Sequence, residues 1–455
     1  MRLIKPLSAL LLALATGCAD ARGVGGYPPE DDASQSLARS EQPREGERRR
    51  AHLDSLIASR APRPDSLRAL YLNGWTVGSR ERMEQLIEIA RETEINGFVI
   101  DIKESDSYLT YQGTGIPLAL EIGADGRPTS SWLPELVSRL NREGVYTIAR
   151  VVVFKDRRLA EKRPDLAIRH TGGGVWHDGK GKPWVNPYNR EVWDYNLAIA
   201  REALEMGFAE LQWDYVRFPD VPARLYRTMA FPGAAERSKP EVIRDFILYS
   251  KQRLAAYRVP VAADVFGLVT HVQDDLGIGQ NWEQVISAAD VVLPMVYPSH
   301  YYPGSYGFER PNARPYDIIL RAMSEAVART ATLREAGRKV GVVVPWLQAF
   351  NAPWVDHLHY GPSFIRDQIQ ATYDAGLSDW ILWHPGSRYH GFLPALRGRD
   401  GSLSEIEREG WKVKESTAAA VARTARRLRE AVEEAVEAPG PSLLGVPVDP
   451  ARRDR

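Results

Sequence analysis

Eight apolar runs, each about as long as a buried strand, alternate with stretches of helical periodicity, and no other feature of this 455-residue chain limits its fold as strongly. The runs are ALYLNGWT (69–76), GFVIDIKE (97–104), YTIARVVVF (146–154), ELQWDYVRF (210–218), PVAADVFGLV (260–269), DVVLPMVYP (290–298), KVGVVVPWLQAF (339–350) and DWILWHPG (379–386). Between them lie helical stretches such as SRERMEQLIEIARETE, REVWDYNLAIAREALEMG and YDIILRAMSEAVART. A helix between two strands returns the chain to the starting edge, so the strands run parallel. Eight such units predict an α/β chain closed into a (β/α)8 TIM barrel. A doubly wound open sheet is the alternative, but no Gly-rich phosphate loop follows the first strand.

The connections are unequal. Segments entering strands are short, as in MGFAELQW and AGLSDWIL, whereas those leaving them include the long stretches 155–190, 219–240 and 299–315. In a barrel of this kind all strand-to-helix loops lie on one rim, which carries the chemistry. These loops hold Trp176, Trp184, Tyr188, Tyr301, Tyr302 and Tyr306. Such rings suit a cleft that receives sugar faces.

The two ends of the chain read differently from its middle. Residues 1–18, MRLIKPLSALLLALATGC, have basic residues, then a short apolar run, then small residues before Cys18. This pattern predicts a secretory signal ending in a lipobox, with Cys18 as the lipidation site. The apolar run is too short to span a bilayer, so membrane contact is expected only through the lipid on Cys18. The expected location is therefore the cell envelope, periplasm-facing or at the cell surface, as an exported bacterial lipoprotein. Residues 19–64 are rich in Glu, Arg, Pro, Ser and Gly and read as a disordered tether. The barrel is expected over 65–400, a helical extension over 401–438, and a disordered tail over 439–455. Lys plus Arg and Asp plus Glu each total 59, so no bulk charge favours nucleic acid as a partner.

Strand alternation selects the candidate chemistry. In ELQWDYVRF, Glu210, Gln212 and Asp214 share one face, and Leu211, Trp213 and Tyr215 share the other. The apolar set must face the helices, which turns Asp214 into the barrel near the carboxyl end of the fourth strand. The same reasoning sets Asp101 with Val99 and Lys103, and Asp264 with Ala262 and Phe266. Three strands thus bring an acid to one rim. Two carboxyl groups are what glycoside hydrolysis requires, one to attack or activate water and one to protonate the leaving oxygen. The competing reading is a structural network in which Lys103, Arg150 and Arg217 pair these acids. Glu104, Glu210 and Asp220 are lesser acid candidates, Glu210 because it belongs to the opposite end of the barrel. Tyr297, Trp346, Gln348, Trp383 and His384 follow other strands and, with Lys103, Glu104, Arg150 and Arg217, form the expected carbohydrate-binding surface.

Metal chemistry is the weaker alternative. His271, His300, His357 and His359 are scattered rather than clustered as zinc ligands are, and the reading calls for no metal or cofactor. There is no Gly-x-Ser-x-Gly nucleophile turn. A glycan-binding protein that does not cut its ligand, and a metal-dependent hydrolase or deacetylase, stay open beside the glycosidase.

Several segments together, YLNGWTVGSRERMEQLIEIARETEINGFVIDIKE, ELQWDYVRFP, ADVFG, VLPMVYPSHY and WILWHP, resemble the glycoside hydrolase domain family known as domain of unknown function 4015. The resemblance runs from about Tyr71 to Tyr389. It implies a barrel related to amylase-like and polysaccharide-processing hydrolases, with Asp214 at the position of their fourth-strand nucleophile. Amylase-like enzymes carry a Glu after strand five where this chain has Asp264, so the resemblance assigns neither the acid nor the stereochemical outcome.

Overall fold

The computed structural model describes residues 45–397. The chain divides into two units, Met1–Arg48 and Arg49–Arg455, and the second holds the barrel. The expected signal peptide, Cys18, the tether up to residue 44, the helical extension at 401–438 and the tail lie outside the described residues. Of the stretch read as a disordered tether, the part from Glu45 to Ser59 is a helix, α1. Its Glu and Arg content suggested solvation, but Leu53, Leu56 and Ile57 fall three to four residues apart and are half-buried. Arg60 then donates to the carbonyls of Tyr257 and Leu204, which fixes the chain just before the barrel begins.

All eight strands form. They are β1 (Arg68–Leu72), β2 (Gly97–Lys103), β3 (Tyr146–Val152), β4 (Glu210–Asp214), β5 (Val261–Phe266), β6 (Val291–Met295), β7 in two pieces (Val342–Val343 and Trp346–Gln348) and β8 (Trp380–Trp383). Neighbours are parallel throughout, and β8 pairs with β1 through Arg68 and Trp380, which closes the sheet. The helices between them are α2 (Arg80–Glu92), α3 (Leu133–Arg142), α4 (Arg190–Glu205), α5 (Lys239–Leu254), α6 (Trp282–Ala288), α7 (Pro315–Glu335) and α8 (Pro362–Asp374). Local sequence sets their starts. Ser79 caps α2, and Ser238 with Glu241 forms a reciprocal capping box on α5.

Two apolar layers follow from alternation along the strands. Leu70, Ile100, Ala149, Leu211, Trp213, Ala263 and Val292 pack outward on the helices, whereas Ala69, Val99, Ile148, Ala262, Leu293 and Ile381 fill the interior. The Trp213 indole shows the outward face plainly, donating to the Ser250 hydroxyl of α5 and meeting Phe246 at 5.2 Å. At the amino ends of the strands, Arg63 bonds Asp379 at 2.7 Å and Arg68 bonds Glu94 at 2.9 Å. Glu210 lies at this end, as its place in β4 requires.

The long loops occupy the opposite rim. Those after β3 and β4 are tied by a short antiparallel ladder of Arg169–His170 with Met229–Ala230. Among the described residues no helix is long and apolar enough to cross a membrane.

Candidate active site

One arginine joins two of the acids. Asp101 of β2 lies opposite Arg150 of β3, and Arg150 opposite Gln212 of β4. All three side chains point inward, and the Arg150 guanidinium reaches sideways to both flanking acids. Its Nη1 bonds Asp101, while its Nη2 and Nε bond Asp214, the latter at 3.0 Å. Bonding to one guanidinium holds the two carboxyl groups within about 8 Å of each other. Asp214 also accepts from the backbone N–H of Tyr215 at 2.5 Å. Tyr215 itself adopts φ +48°, a left-handed conformation unusual for a bulky residue, and β4 ends there.

The Tyr71 hydroxyl donates to Asp101 at 2.5 Å, and the Arg150 guanidinium lies over the Tyr71 ring at 5.4 Å. Burial raises the pKa of Asp101, with Arg150 and Tyr71 pulling it back. Asp264, next along on β5, is 1% exposed. Gln212 Nε2 donates to both its oxygens at 2.9 Å, and Trp346 Nε1 donates to Oδ1 at 2.8 Å. Its pKa is pushed well above the ordinary carboxylate value, first by burial and next by the charge on Asp214. The site therefore has three acids around one guanidinium, with burial and the charge on Asp214 favouring the protonated form of Asp264.

Lys103 does not belong to this cluster. A register shift between Asp101 and Lys103 pairs Lys103 with Val151, a residue packed outward on the helices. This bulge breaks the alternation on which the expectation rested. The ammonium is fully buried against α4, bonded to Asp156 at 2.7 Å and to Asn196 at 2.8 Å. Gln348 is likewise occupied within the scaffold, accepting from Ser299 N and donating to Phe350 O and Asn312 Oδ1.

Glu104 follows β2 into a rim pocket of about 190 Å³, lined also by Trp75, Tyr108, Arg127 and Thr129 but by none of the three strand acids. It accepts from Gly74 N at 2.9 Å. Burial, aided by Asp101, pushes its pKa up to about 7.

On the far side of the mouth Trp383 is half-buried, with Tyr71 at 5.8 Å, Tyr297 at 5.8 Å and Phe350 at 5.1 Å, and the exposed Trp354 stacks on Phe350. Tyr297 and Trp383, both expected in the carbohydrate-binding surface, lie together in this cluster of rings. Trp346 instead sits beneath it as the Asp264 donor. His384 accepts from Gly386 N, and burial lowers its pKa.

Residues 69–389 match the family described as “Putative glycosyl hydrolase domain”, domain of unknown function 4015. The chain belongs to this glycosyl hydrolase domain family. A hypothetical protein from Ruminiclostridium thermocellum is 37% identical over 46% of this chain and 98% of its own, with a TM-score of 0.40. The PgaB (BpsB) glycoside hydrolase domain from Bordetella bronchiseptica is 13% identical over 74% of this chain and all of its own, with a TM-score of 0.53. At that identity the likeness is one of fold. The α-L-fucosidase isoenzyme 2 from Paenibacillus thiaminolyticus is 15% identical over 77% of this chain and 50% of its own, with a TM-score of 0.48. No curated protein matches the sequence.

In this glycosyl hydrolase domain several site residues escaped the sequence reading. Tyr71 was placed only as part of a strand, although its inward position beside Ala69 followed from alternation. Gln212 was seen on the right face but not as the Asp264 partner, since that pairing depends on how two strands are staggered. The histidines stand apart, with His271 bonded to Glu325 at 3.0 Å and His300 against Tyr297. Among the described residues no three His, Cys, Asp or Glu side chains gather as metal ligands.

Proposed function

We propose that the barrel is a glycosidase that cleaves a cell-envelope or extracellular polysaccharide by paired-carboxylate chemistry. The observation that carries this reading is the pair Asp214 and Asp264, inward on adjacent strands, with the charge of one raising the proton affinity of the other. Asp214, held by donors only, acts as nucleophile or base. Asp264 supplies the proton from Oδ2, the oxygen not bonded to Trp346. Arg150 offsets charge on Asp101 and Asp214 and fixes their orientation. Trp383 and its ring partners provide the sugar platform.

The test is a polysaccharide and aryl-glycoside screen of the purified protein. Asp214→Asn is expected to abolish all cleavage with the fold retained. Asp264→Asn is expected to lose cleavage of sugar leaving groups but to spare nitrophenyl glycosides, whose departure needs no proton. Product stereochemistry then distinguishes retention from inversion.

One observation favours a second reading, a glycan-binding protein without turnover. Asp264 is enclosed, and both oxygens of Asp214 are already engaged by Arg150 and Tyr215 N. Glycan binding with no cleavage across the screen would establish it. We also propose export and anchoring through diacylated Cys18, from the signal-like sequence preceding it. Labelled palmitate should enter the wild type and not Cys18→Ser.

A further inference from the structure

Next to Asp214 on the rim are two cations with no carboxylate partner. Among the described residues no acid lies within ion-pair distance of Arg217 or Lys155, and Lys155 acts on Asp178 only through longer-range charge. Arg217 is 8% exposed, and its one protein hydrogen bond, from Nη1, goes to the Phe218 carbonyl. Its guanidinium is boxed by the rings of Phe266 at 4.5 Å, Tyr215 at 5.0 Å and Trp184 at 5.3 Å. Lys155, half-buried, lies 4.4 Å from the same Tyr215 ring and bonds its hydroxyl at 3.1 Å.

A guanidinium taken out of water costs free energy unless an anion meets it. Ring faces recover only part of that cost. Burial accordingly weakens the hold of Arg217 on its proton, and the more distant charges of Asp214 and Asp220 offset this only in part. Neither acid bonds it, so its remaining planar donors can engage an incoming oxyanion in fork geometry. Both cations lie against the ring of Tyr215, the residue directly after Asp214, so an anion held here would belong to a sugar at or beside the reacting one.

We propose that Arg217 and Lys155 form an oxyanion subsite adjoining Asp214, and that the polysaccharide bound here is acidic, bearing a carboxylate or phosphate on the sugar next to the scissile bond. This rests on the glycoside reading of the cleft, but the subsite is testable by binding alone. Affinities of full-length Asp214→Asn protein would be measured for hyaluronan, alginate and polygalacturonate oligomers and their carboxyl-reduced counterparts, with glycerol-phosphate-linked and neutral glucose oligomers as further arms. At least one acidic ligand is expected to bind ten-fold or more tightly than its neutral counterpart, and to weaken with added salt. Preference for uronates or for phosphate identifies the source of the oxyanion. Adding Arg217→Gln should bring that ratio towards one, Arg217→Lys should restore part of it, and the half-buried Lys155→Gln should reduce it without threatening the fold. Ratios near one for every acidic ligand, or a ratio that survives both glutamine substitutions, overturn the proposal. Absence of cleavage by the wild type alongside intact acidic preference would instead overturn only the glycosidase reading.

Discussion

Trp346 of β7 donates its indole N–H to Asp264 of β5 from 2.8 Å, linking two strands that are not neighbours in the sheet. The bond favours the ionised form of Asp264 and so opposes the effect of burial and of Asp214. Removing it leaves the proton held more tightly. Trp346→Phe is therefore expected to move the alkaline limb of the kcat/KM profile to higher pH, because the acid stays protonated further up the scale. An unchanged or acid-shifted limb would detach Asp264 from the proton-donor role.

Arg150 is the cation bonded to both Asp101 and Asp214, and all three are nearly buried. Arg150→Met strands two carboxylates in the barrel and is expected to cost about 3–5 kcal/mol of stability, the usual penalty for breaking a buried ion pair. Asp101→Asn in the Arg150→Met background should recover part of that loss. Urea denaturation of the four proteins in this cycle measures the coupling. A loss under about 1 kcal/mol would mean the carboxylates are better hydrated than their burial indicates.

What was legible in the sequence was periodic. The eight strands, the inward acids and the bottom position of Glu210 all follow from a two-residue alternation and from which end of a strand a residue occupies. Lys103 was misplaced because one bulge after Asp101 reverses that alternation without leaving a Gly or Pro to mark it. Helix α1 was missed because charged composition outweighed three apolar residues at helical spacing. The Asp264 partners Gln212 and Trp346 depend on stagger between strands, which one sequence does not encode locally. Trp184 was noted as a loop aromatic and Arg217 as a binding residue, but their contact unites separate loops.

Glu104 titrates in a pocket that also exposes Trp75, which is 65% accessible. With its pKa pushed up to about 7, the carboxyl should gain charge between about pH 6 and 8, whereas an ordinary glutamate would do so between about 3.5 and 5.5. Trp75 fluorescence, taken as the difference between wild type and Trp75→Phe, is expected to change with a midpoint near 7. In Glu104→Gln that transition should disappear. A transition that persists in the glutamine variant assigns it to another group.

Glu210 offers a pH test of stability at the opposite end of the barrel. Its side chain is fully buried, Oε2 accepts from the Tyr146 hydroxyl at 2.9 Å, and Arg63 lies 3.7 Å away. Burial outweighs these two partners and raises the pKa from 4.5 to about 7. Between those values the folded protein holds a proton that the unfolded chain has released, so stability from this group falls as pH rises, by about 1.4 kcal/mol per unit. Over the window the loss comes to roughly 3 kcal/mol, present in full below pH 4.5 and exhausted above 7. Glu210→Gln cannot ionise and escapes this slope. The stability of the variant relative to wild type should therefore climb steadily from pH 4.5 to 7 and level off beyond, as read from urea midpoints at closely spaced pH values. A constant offset across that range would show that Arg63 keeps Glu210 charged and that the barrel floor is an ordinary ion pair.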